Sequence, residues 1–209
     1  MMELTDWTGL SGLALVWMLM SLRLPVAARY AGWRRVLFVV AVYGAVMLPV
    51  FGLSLAGVLR GMVGDLSITS VMLLGMALYR RLMRTSVPAQ SPGHDRYALL
   101  LFLAALALLL YPFALGLGYV DPYRSGYDSI ALILMLSALA LWAALRKLVL
   151  LPLAVALALS AWSLGWYEST NLWDYLIDAP LALYALGAVI KILLLNRKTG
   201  RGNVRADPQ

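Results

Sequence analysis

Seven apolar runs make up most of this chain, and each is about long enough to cross a membrane core. Because that core offers no water to backbone amides, such segments satisfy their hydrogen bonds only as helices. Of the 209 residues, 63% are hydrophobic and the mean hydropathy is +0.84, far above the values of a soluble domain. The sequence therefore predicts an all-α membrane protein, a bundle of about seven transmembrane helices. The runs lie at roughly 7–27, 36–58, 61–79, 97–117, 129–145, 148–166 and 180–195.

Basic and acidic residues fall on opposite sides of this predicted bundle. If successive segments cross the membrane in opposite directions, 15 of the 17 lysines and arginines fall on one side of the membrane and eight of the ten acids fall on the other. Since cytoplasmic loops collect Lys and Arg, we expect the N-terminus outside and the C-terminus in the cytoplasm. Insertion places little demand on acids, so their segregation is a separate observation that draws attention to the outer face.

The chain is predicted to contain one membrane domain, 1–195, followed by a basic, disordered cytoplasmic tail, 196–209. This pattern suits a multi-pass protein of the bacterial cytoplasmic (inner) membrane. No cofactor is predicted, because the chain has no cysteine and His94 is its only histidine. Nucleic acid is not an expected partner, since the basic residues lie in short loops where they orient helices and meet lipid headgroups.

Asp65 is the acid of the outer face that is predicted to lie deepest in the membrane. Counting back from Arg80 at 1.5 Å per residue puts Asp65 about 22 Å above the cytoplasmic boundary, at the outer edge of the hydrocarbon. An ionised carboxylate there needs a partner, and Arg60 is the nearest candidate, with Arg124 as a rival. Asp65 is either an acid that locks helices together with Arg60 or part of a functional site.

The outer loop 119–128 surrounds Arg124 with phenols and carboxylates. An arginine in this setting can hold a phosphate or a sugar acid through two parallel hydrogen bonds. The alternative is that the tyrosines of the loop only anchor the chain at the membrane interface.

A short helix lying in the membrane interface is predicted from Leu172 to Asp178, with Asn171 as its N-cap. Asp174 and Asp178 share one face of this helix. They are the candidate pair for a divalent cation, although no metal site is predicted, and the water-facing edge of an amphipathic helix has the same pattern.

One stretch, Arg60-Gly-Met-Val-Gly-Asp-Leu-Ser-Ile-Thr-Ser70, carries a family resemblance. About ten residues around its Gly-Asp-Leu-Ser core resemble segments in the membrane halves of sulfatase-type phosphoglycerol and phosphoethanolamine transferases. The resemblance implies a membrane partner or lipid-presenting module of the outer leaflet. No catalytic residue of those enzymes matches a position of this sequence.

The leading hypothesis is a non-enzymatic inner-membrane protein of envelope biogenesis whose outer polar cluster binds a lipid headgroup or a partner enzyme. The expected partners are membrane lipids, a membrane enzyme of envelope assembly or a second copy of the chain. One alternative is a small transporter or flippase coupled through Asp65, and another is a membrane-embedded enzyme acting on a lipid-linked phosphate. The candidate binding residues are Arg60, Asp65, Asp121, Tyr123, Arg124, Asp128, Glu168, Trp173, Asp174 and Asp178.

Overall fold

The computed structural model describes residues 4–50, 52–83, 92–127 and 130–204, and these ranges are helical with no β-strand. The all-α class is therefore confirmed. A 3₁₀ helix at Pro122–Gly126 precedes α7. The α-helices are α1 (Leu4–Ser21), α2 (Pro25–Ala28), α3 (Trp33–Met47), α4 (Leu55–Val63), α5 (Ile68–Met83), α6 (Pro92–Ala114), α7 (Ile130–Leu145), α8 (Leu150–Ser163), α9 (Leu172–Leu176) and α10 (Ala179–Val204).

The second predicted segment, 36–58, is two helices. The backbone leaves the helical conformation at Leu48, directly before Pro49, and α4 begins only after its N-cap Ser54. Proline has no amide hydrogen and disfavours the helical conformation in the residue before it, which explains the break. Pro152 lies in the first turn of α8, where the missing donor has no helical partner to lose.

Within the described residues, one helical segment is long and apolar enough to cross a membrane unaided. It is Gly93–Ala114, with 22 residues. The apolar helices Ile130–Leu145, Leu150–Ser163 and Ala179–Leu195 are shorter. The region expected to be a disordered tail is helical as far as Val204, and 205–209 lie outside the described residues.

The main core lies among α6, α7, α8, α9 and α10. Its fully buried members include Leu103, Leu136, Val155 and Leu176, one from each of the first four of these helices. α1 packs against α3, α4 and α5, and α5 also contacts α8 and α9. α5 therefore joins the two halves of the molecule, and its N-terminal end lies beside the predicted outer segments.

Candidate functional site

Arg60 connects three of the acids on the predicted outer face. Its Nε and Nη2 donate to the two carboxylate oxygens of Asp65 at 2.7 and 2.9 Å, so the predicted Arg60–Asp65 pair is confirmed. Its Nη1 donates to Asp6 at 2.7 Å, and Nη2 also reaches Glu168 at 3.3 Å. These bonds tie the C-terminal part of α4 to α1 and to the loop before α9. The hydrogen bonds that Arg60 donates to Asp65, and to a smaller extent to Asp6, outweigh the opposing effect of burial and raise the pKa of Arg60 far above its ordinary value.

Gly9 lets α1 approach this ion pair. A Cβ atom at Gly9 would lie 2.2 Å from Oδ1 of Asp65 and 3.4 Å from Nε of Arg60. Gly61, in contrast, has no neighbour within 4 Å of such an atom. The close approach therefore depends on a glycine of the first helix, which the charge pattern alone does not indicate.

Asp178 is buried, with 7% of its surface exposed, and its carboxylate holds the starts of two helices. Its Oδ2 accepts hydrogen bonds from the Ser67 amide at 2.8 Å, from the Ser67 hydroxyl at 2.7 Å and from the Ser70 hydroxyl. Its Oδ1 accepts from the Leu181 amide at 2.8 Å. Four donors and two helix N-termini compensate the buried charge. The predicted helix does not reach Asp178: α9 ends at Leu176, and Ile177 is extended. The expected water-facing edge is also wrong at Asp178, because α5 packs across it.

Asp174 is held by hydroxyl groups. Tyr123 lies 2.7 and 2.8 Å from its two oxygens, and the Ser169 hydroxyl donates to Oδ2. Burial, and next the hydrogen bond to Asp174, raise the pKa of the Tyr123 phenol well above its ordinary value. The phenol thus stays a hydrogen-bond donor at ordinary pH.

The predicted N-cap of α9 is confirmed, because Oδ1 of Asn171 accepts from the Trp173 amide at 3.0 Å. The side-chain amide of Asn171 also donates to the Tyr123 carbonyl at 3.0 Å. The Trp173 indole lies 3.3 Å from the Pro122 carbonyl and is almost fully buried. These contacts dock the 3₁₀ helix on α9, so Trp173 contributes to packing between the two segments.

Three of the predicted acids line one cavity, which we call the outer cavity. It measures about 290 Å³ and is lined by Asp65, Asp174 and Asp178 together with Tyr111, Tyr167 and Ser169. Burial, and next the charge of Asp65, raise the pKa of Tyr167 well above its ordinary value, which keeps that phenol neutral. Among the described residues, no lysine or arginine lines the outer cavity, and only Asp65 of its three acids is paired with an arginine.

Several predicted residues lie away from this cavity. Asp121 is exposed and caps the 3₁₀ helix by accepting from the amides of Tyr123 and Arg124. The Arg124 side chain is exposed and contacts no carboxylate within the described ranges. Glu168 is 63% exposed and touches only the edge of the Arg60 cluster, and Asp128 lies outside the described residues.

No group of three or more His, Cys, Asp or Glu side chains is placed to hold a metal ion in the part of the chain that the structure describes. The oxygens of Asp174 and Asp178 line the same cavity, but they are already occupied by hydroxyl and amide donors. A divalent cation would have to displace these donors, so the geometry gives the pair no metal-binding role.

The candidate binding residues did not include Asp6 and Ser169, which belong to this polar region. Ser67 and Ser70, whose hydroxyls the sequence predicts to form hydrogen bonds between helices, do so with Asp178. The three-residue spacing of Ser67 and Ser70 at a predicted helix start was the available signal, because it puts both hydroxyls on one face. Comparison with protein-family models, with curated proteins and with solved structures finds no match for this chain.

Proposed function

We propose that this chain is a non-enzymatic, multi-pass inner-membrane protein whose outer cavity binds the amino group of a lipid headgroup, such as that of phosphatidylethanolamine. The observation that carries this proposal is the convergence of Asp65, Asp174 and Asp178 on one cavity, where Asp65 alone has a cationic partner, Arg60, in the part of the chain that the structure describes. A cavity with excess negative charge attracts an ammonium group and repels a free phosphate. The phosphate-binding role expected of Arg124 loses support, because Arg124 does not line this cavity.

The surface of the helices supports insertion in a membrane. Large apolar side chains remain exposed on several helices, including Leu108 of α6 at 64%, Leu134 of α7 at 64% and Leu183 of α10 at 73%. Soluble monomers rarely expose apolar surface on this scale. Lipid tails would cover these side chains at no cost in hydration.

The size and donors of the outer cavity also fit a small amine. Its volume of about 290 Å³ is just below the roughly 300–1,000 Å³ of typical ligand pockets, enough for a headgroup but not for a whole lipid. An ammonium carries three donor hydrogens. They can be accepted without displacing a donor by Oδ1 of Asp174, which accepts from the Tyr123 hydroxyl alone, and by the phenol oxygens of Tyr111 and Tyr167. The acyl chains would then lie outside the cavity, along the apolar helices.

Orientation can be tested with single cysteines, because the chain has none of its own. Tyr119→Cys lies in the predicted outer loop and His94→Cys at the predicted cytoplasmic end of α6, and both positions are exposed. We expect a membrane-impermeant thiol reagent to label only Tyr119→Cys in intact cells and both variants after lysis. Labelling of His94→Cys alone in intact cells would contradict the orientation.

Binding can be tested by native mass spectrometry of the purified protein with phosphatidylethanolamine and phosphatidylglycerol of equal chain length. We expect Asp174→Asn to lose about tenfold in retained phosphatidylethanolamine, because an uncharged amide still accepts from Tyr123 but no longer attracts an ammonium. Asp121→Asn is the matched control, since Asp121 is an outer acid away from the cavity. Equal retention by all three proteins would contradict the proposal.

A small transporter or flippase is the second candidate function. Asp178 lines the outer cavity, whereas its hydrogen-bond partner Ser70 lines a second, larger cavity. The Asp178–Ser70 hydrogen bond thus separates two cavities, an arrangement that suits a transporter whose binding site opens alternately to the two sides of the membrane. Proteoliposomes with a fluorescent phosphatidylethanolamine test this: no transport by the parent chain would contradict it, and full transport by Asp65→Asn would contradict coupling through Asp65.

A membrane enzyme of envelope assembly is the protein partner that the resemblance of Arg60–Ser70 suggests. The same mass spectra test this partnership after mild extraction from the native membrane. A stoichiometric second protein would support it, and spectra that contain only lipid adducts would leave lipid binding as the function.

A further inference from the structure

We propose that a second site, at the opposite end of α5 from the outer cavity, binds one anionic phospholipid of the cytoplasmic leaflet. One acyl chain would enter an apolar crevice, and the phosphate would meet Arg80 and Arg96. The proposal rests on the membrane orientation proposed above but not on amine binding in the outer cavity. The sequence gives no hint of this site, because its residues come from five helices.

The crevice measures about 410 Å³ and lies between α1, α5, α6, α10 and the start of α8. This volume falls within the roughly 300–1,000 Å³ of typical ligand pockets. Its walls are apolar and are formed mainly by seven leucines, which suit an acyl chain. They are Leu66, Leu73, Leu74, Leu99, Leu100, Leu150 and Leu181.

The length of the crevice matches one leaflet. It extends along α5 from Ser70 to Arg80, about 15 Å at 1.5 Å per residue. The hydrocarbon core of a bilayer is about 30 Å thick, so each leaflet contributes about 15 Å. With Ser70 near the midplane, Arg80 lies at the level of the cytoplasmic headgroups.

Arg80 and Arg96 give this end of the crevice a positive charge. Both side chains are exposed and line the crevice, and no carboxylate of the described residues lines it. Asp95, beside Arg96 in the chain, accepts instead from the amides of Val149 and Leu150 at 3.1 Å and so caps α8. An anionic ligand would neutralise the positive charge of Arg80 and Arg96 at this end of the crevice.

The two guanidinium groups differ in how they are held. Arg96 donates a hydrogen bond from Nη2 to the Tyr184 hydroxyl, which fixes it at the rim of the crevice. Arg80 has no hydrogen-bond or ion-pair partner among the described residues, whereas its neighbour Arg81 donates to the Leu19 carbonyl at 3.3 Å. Guanidinium groups bind phosphate oxygens through paired, charge-assisted hydrogen bonds. The anionic lipids of the cytoplasmic leaflet supply such phosphates.

The test measures phosphatidylglycerol retained by the full-length protein in mild detergent, by native mass spectrometry. We expect the double variant Arg80→Gln/Arg96→Gln to retain at least about tenfold less than the parent chain, since two charge-assisted hydrogen bonds are lost. The matched control is Arg23→Gln/Arg29→Gln, which removes two exposed arginines of the same predicted side that do not line the crevice. Equal retention by the two double variants would overturn the proposal.

A second variant tests the acyl chain separately from the phosphate. Ala77 lines the crevice, so Ala77→Trp should fill it and lower phosphatidylglycerol retention about tenfold while both arginines remain. Displacement of the lipid by inorganic phosphate at equal concentration, or unchanged retention by Ala77→Trp, would overturn the assignment to a phospholipid. Asp174→Asn should leave phosphatidylglycerol retention unchanged, so failure at this site is distinguishable from failure at the outer cavity.

Discussion

The charged groups around the outer cavity and those at the rim of the crevice differ in whether the protein supplies their hydrogen-bond partners. Around the outer cavity, Arg60, Asp65, Asp174 and Asp178 all have hydrogen-bond partners within the protein. At the rim of the crevice, Arg80 has no such partner in the described ranges, and no carboxylate lines the space beside it. A polar group that the protein itself satisfies stabilises the fold, whereas one left unsatisfied is available to a ligand. Substitution of Asp178 or Arg60 should therefore change mainly the free energy of unfolding, whereas substitution of Arg80 and Arg96 should change mainly lipid binding.

The largest loss of stability is expected for Asp178→Ala. This change leaves the Ser67 amide and hydroxyl, the Ser70 hydroxyl and the Leu181 amide without their acceptor in a buried position. We expect the free energy of unfolding in detergent to fall by about 3–5 kcal/mol, measured by denaturant titration. Asp121→Ala, which removes an exposed cap, should lose less than about 1 kcal/mol. Similar losses in the two variants would mean that the buried network does not hold the helix starts.

Arg60→Ala should have the next largest effect. It leaves the Asp6, Asp65 and Glu168 carboxylates close together with no cation between them. Because Arg60 and Asp65 are 23% and 26% exposed, solvent screens part of the repulsion, and we expect a loss of about 2 kcal/mol. The control Arg124→Ala removes an exposed arginine of the same face and should change stability by less than about 0.5 kcal/mol. A loss in Arg124→Ala as large as that in Arg60→Ala would contradict the central role of Arg60.

How far the sequence predicts these contacts depends on the distance between the partners along the chain. Asp65 lies five residues from Arg60 across one turn, so their pairing follows from local geometry. The start of α9 at Asn171 is likewise local, because a cap and its amide are two residues apart. Ser67 and Asp178 are separated by 111 residues, and Arg60 and Asp6 by 54. Those contacts depend on which helices pack together, which periodicity and charge do not determine.

The crevice illustrates the same limit on the opposite side of the molecule. Arg80 and Arg96 look like ordinary residues of cytoplasmic loops, because insertion alone explains their charge. Their shared cavity depends on how α5, α6 and α10 are arranged. Pro49 shows a different limit, since the residue predicts an interruption but not whether the helix bends or ends there.

Gly9→Ala tests the contact between α1 and the ion pair. The new methyl group would overlap Oδ1 of Asp65, so α1 must move or the pair must reorganise. We expect a loss of about 1–3 kcal/mol in the free energy of unfolding, as for other overpacked positions. Gly61→Ala, in open space on the exposed side of α4, should instead gain about 0.5–1 kcal/mol from helix propensity. Equal effects of the two substitutions would show that α1 does not touch the pair.

Alkaline pH should weaken the contact between the 3₁₀ helix and α9. Burial and Asp174 raise the pKa of Tyr123 above its ordinary value of 10.0 in the folded chain, so the folded state holds the phenolic proton more tightly than the unfolded state. The resulting stability is present in full below pH 10 and is lost as the pH rises through the higher folded-state value. Tyr123→Phe should lose about 1 kcal/mol at neutral pH and show a shallower alkaline decline. Parallel pH profiles for the two proteins would contradict this account.

The smallest change in stability is expected for Arg80→Gln/Arg96→Gln in detergent without added lipid. The Arg96–Tyr184 hydrogen bond is exposed and Arg80 has no partner within the described residues, so the free energy of unfolding should stay within about 0.5 kcal/mol of the parent value. Added phosphatidylglycerol should then stabilise the parent chain but not the double variant, because a ligand stabilises only the state that binds it. If the double variant loses as much free energy of unfolding without lipid as Arg60→Ala does, Arg80 and Arg96 stabilise the fold in the same way as Arg60. The same denaturant titrations, with and without lipid, therefore distinguish an arginine that stabilises the fold, Arg60, from arginines that bind a ligand, Arg80 and Arg96.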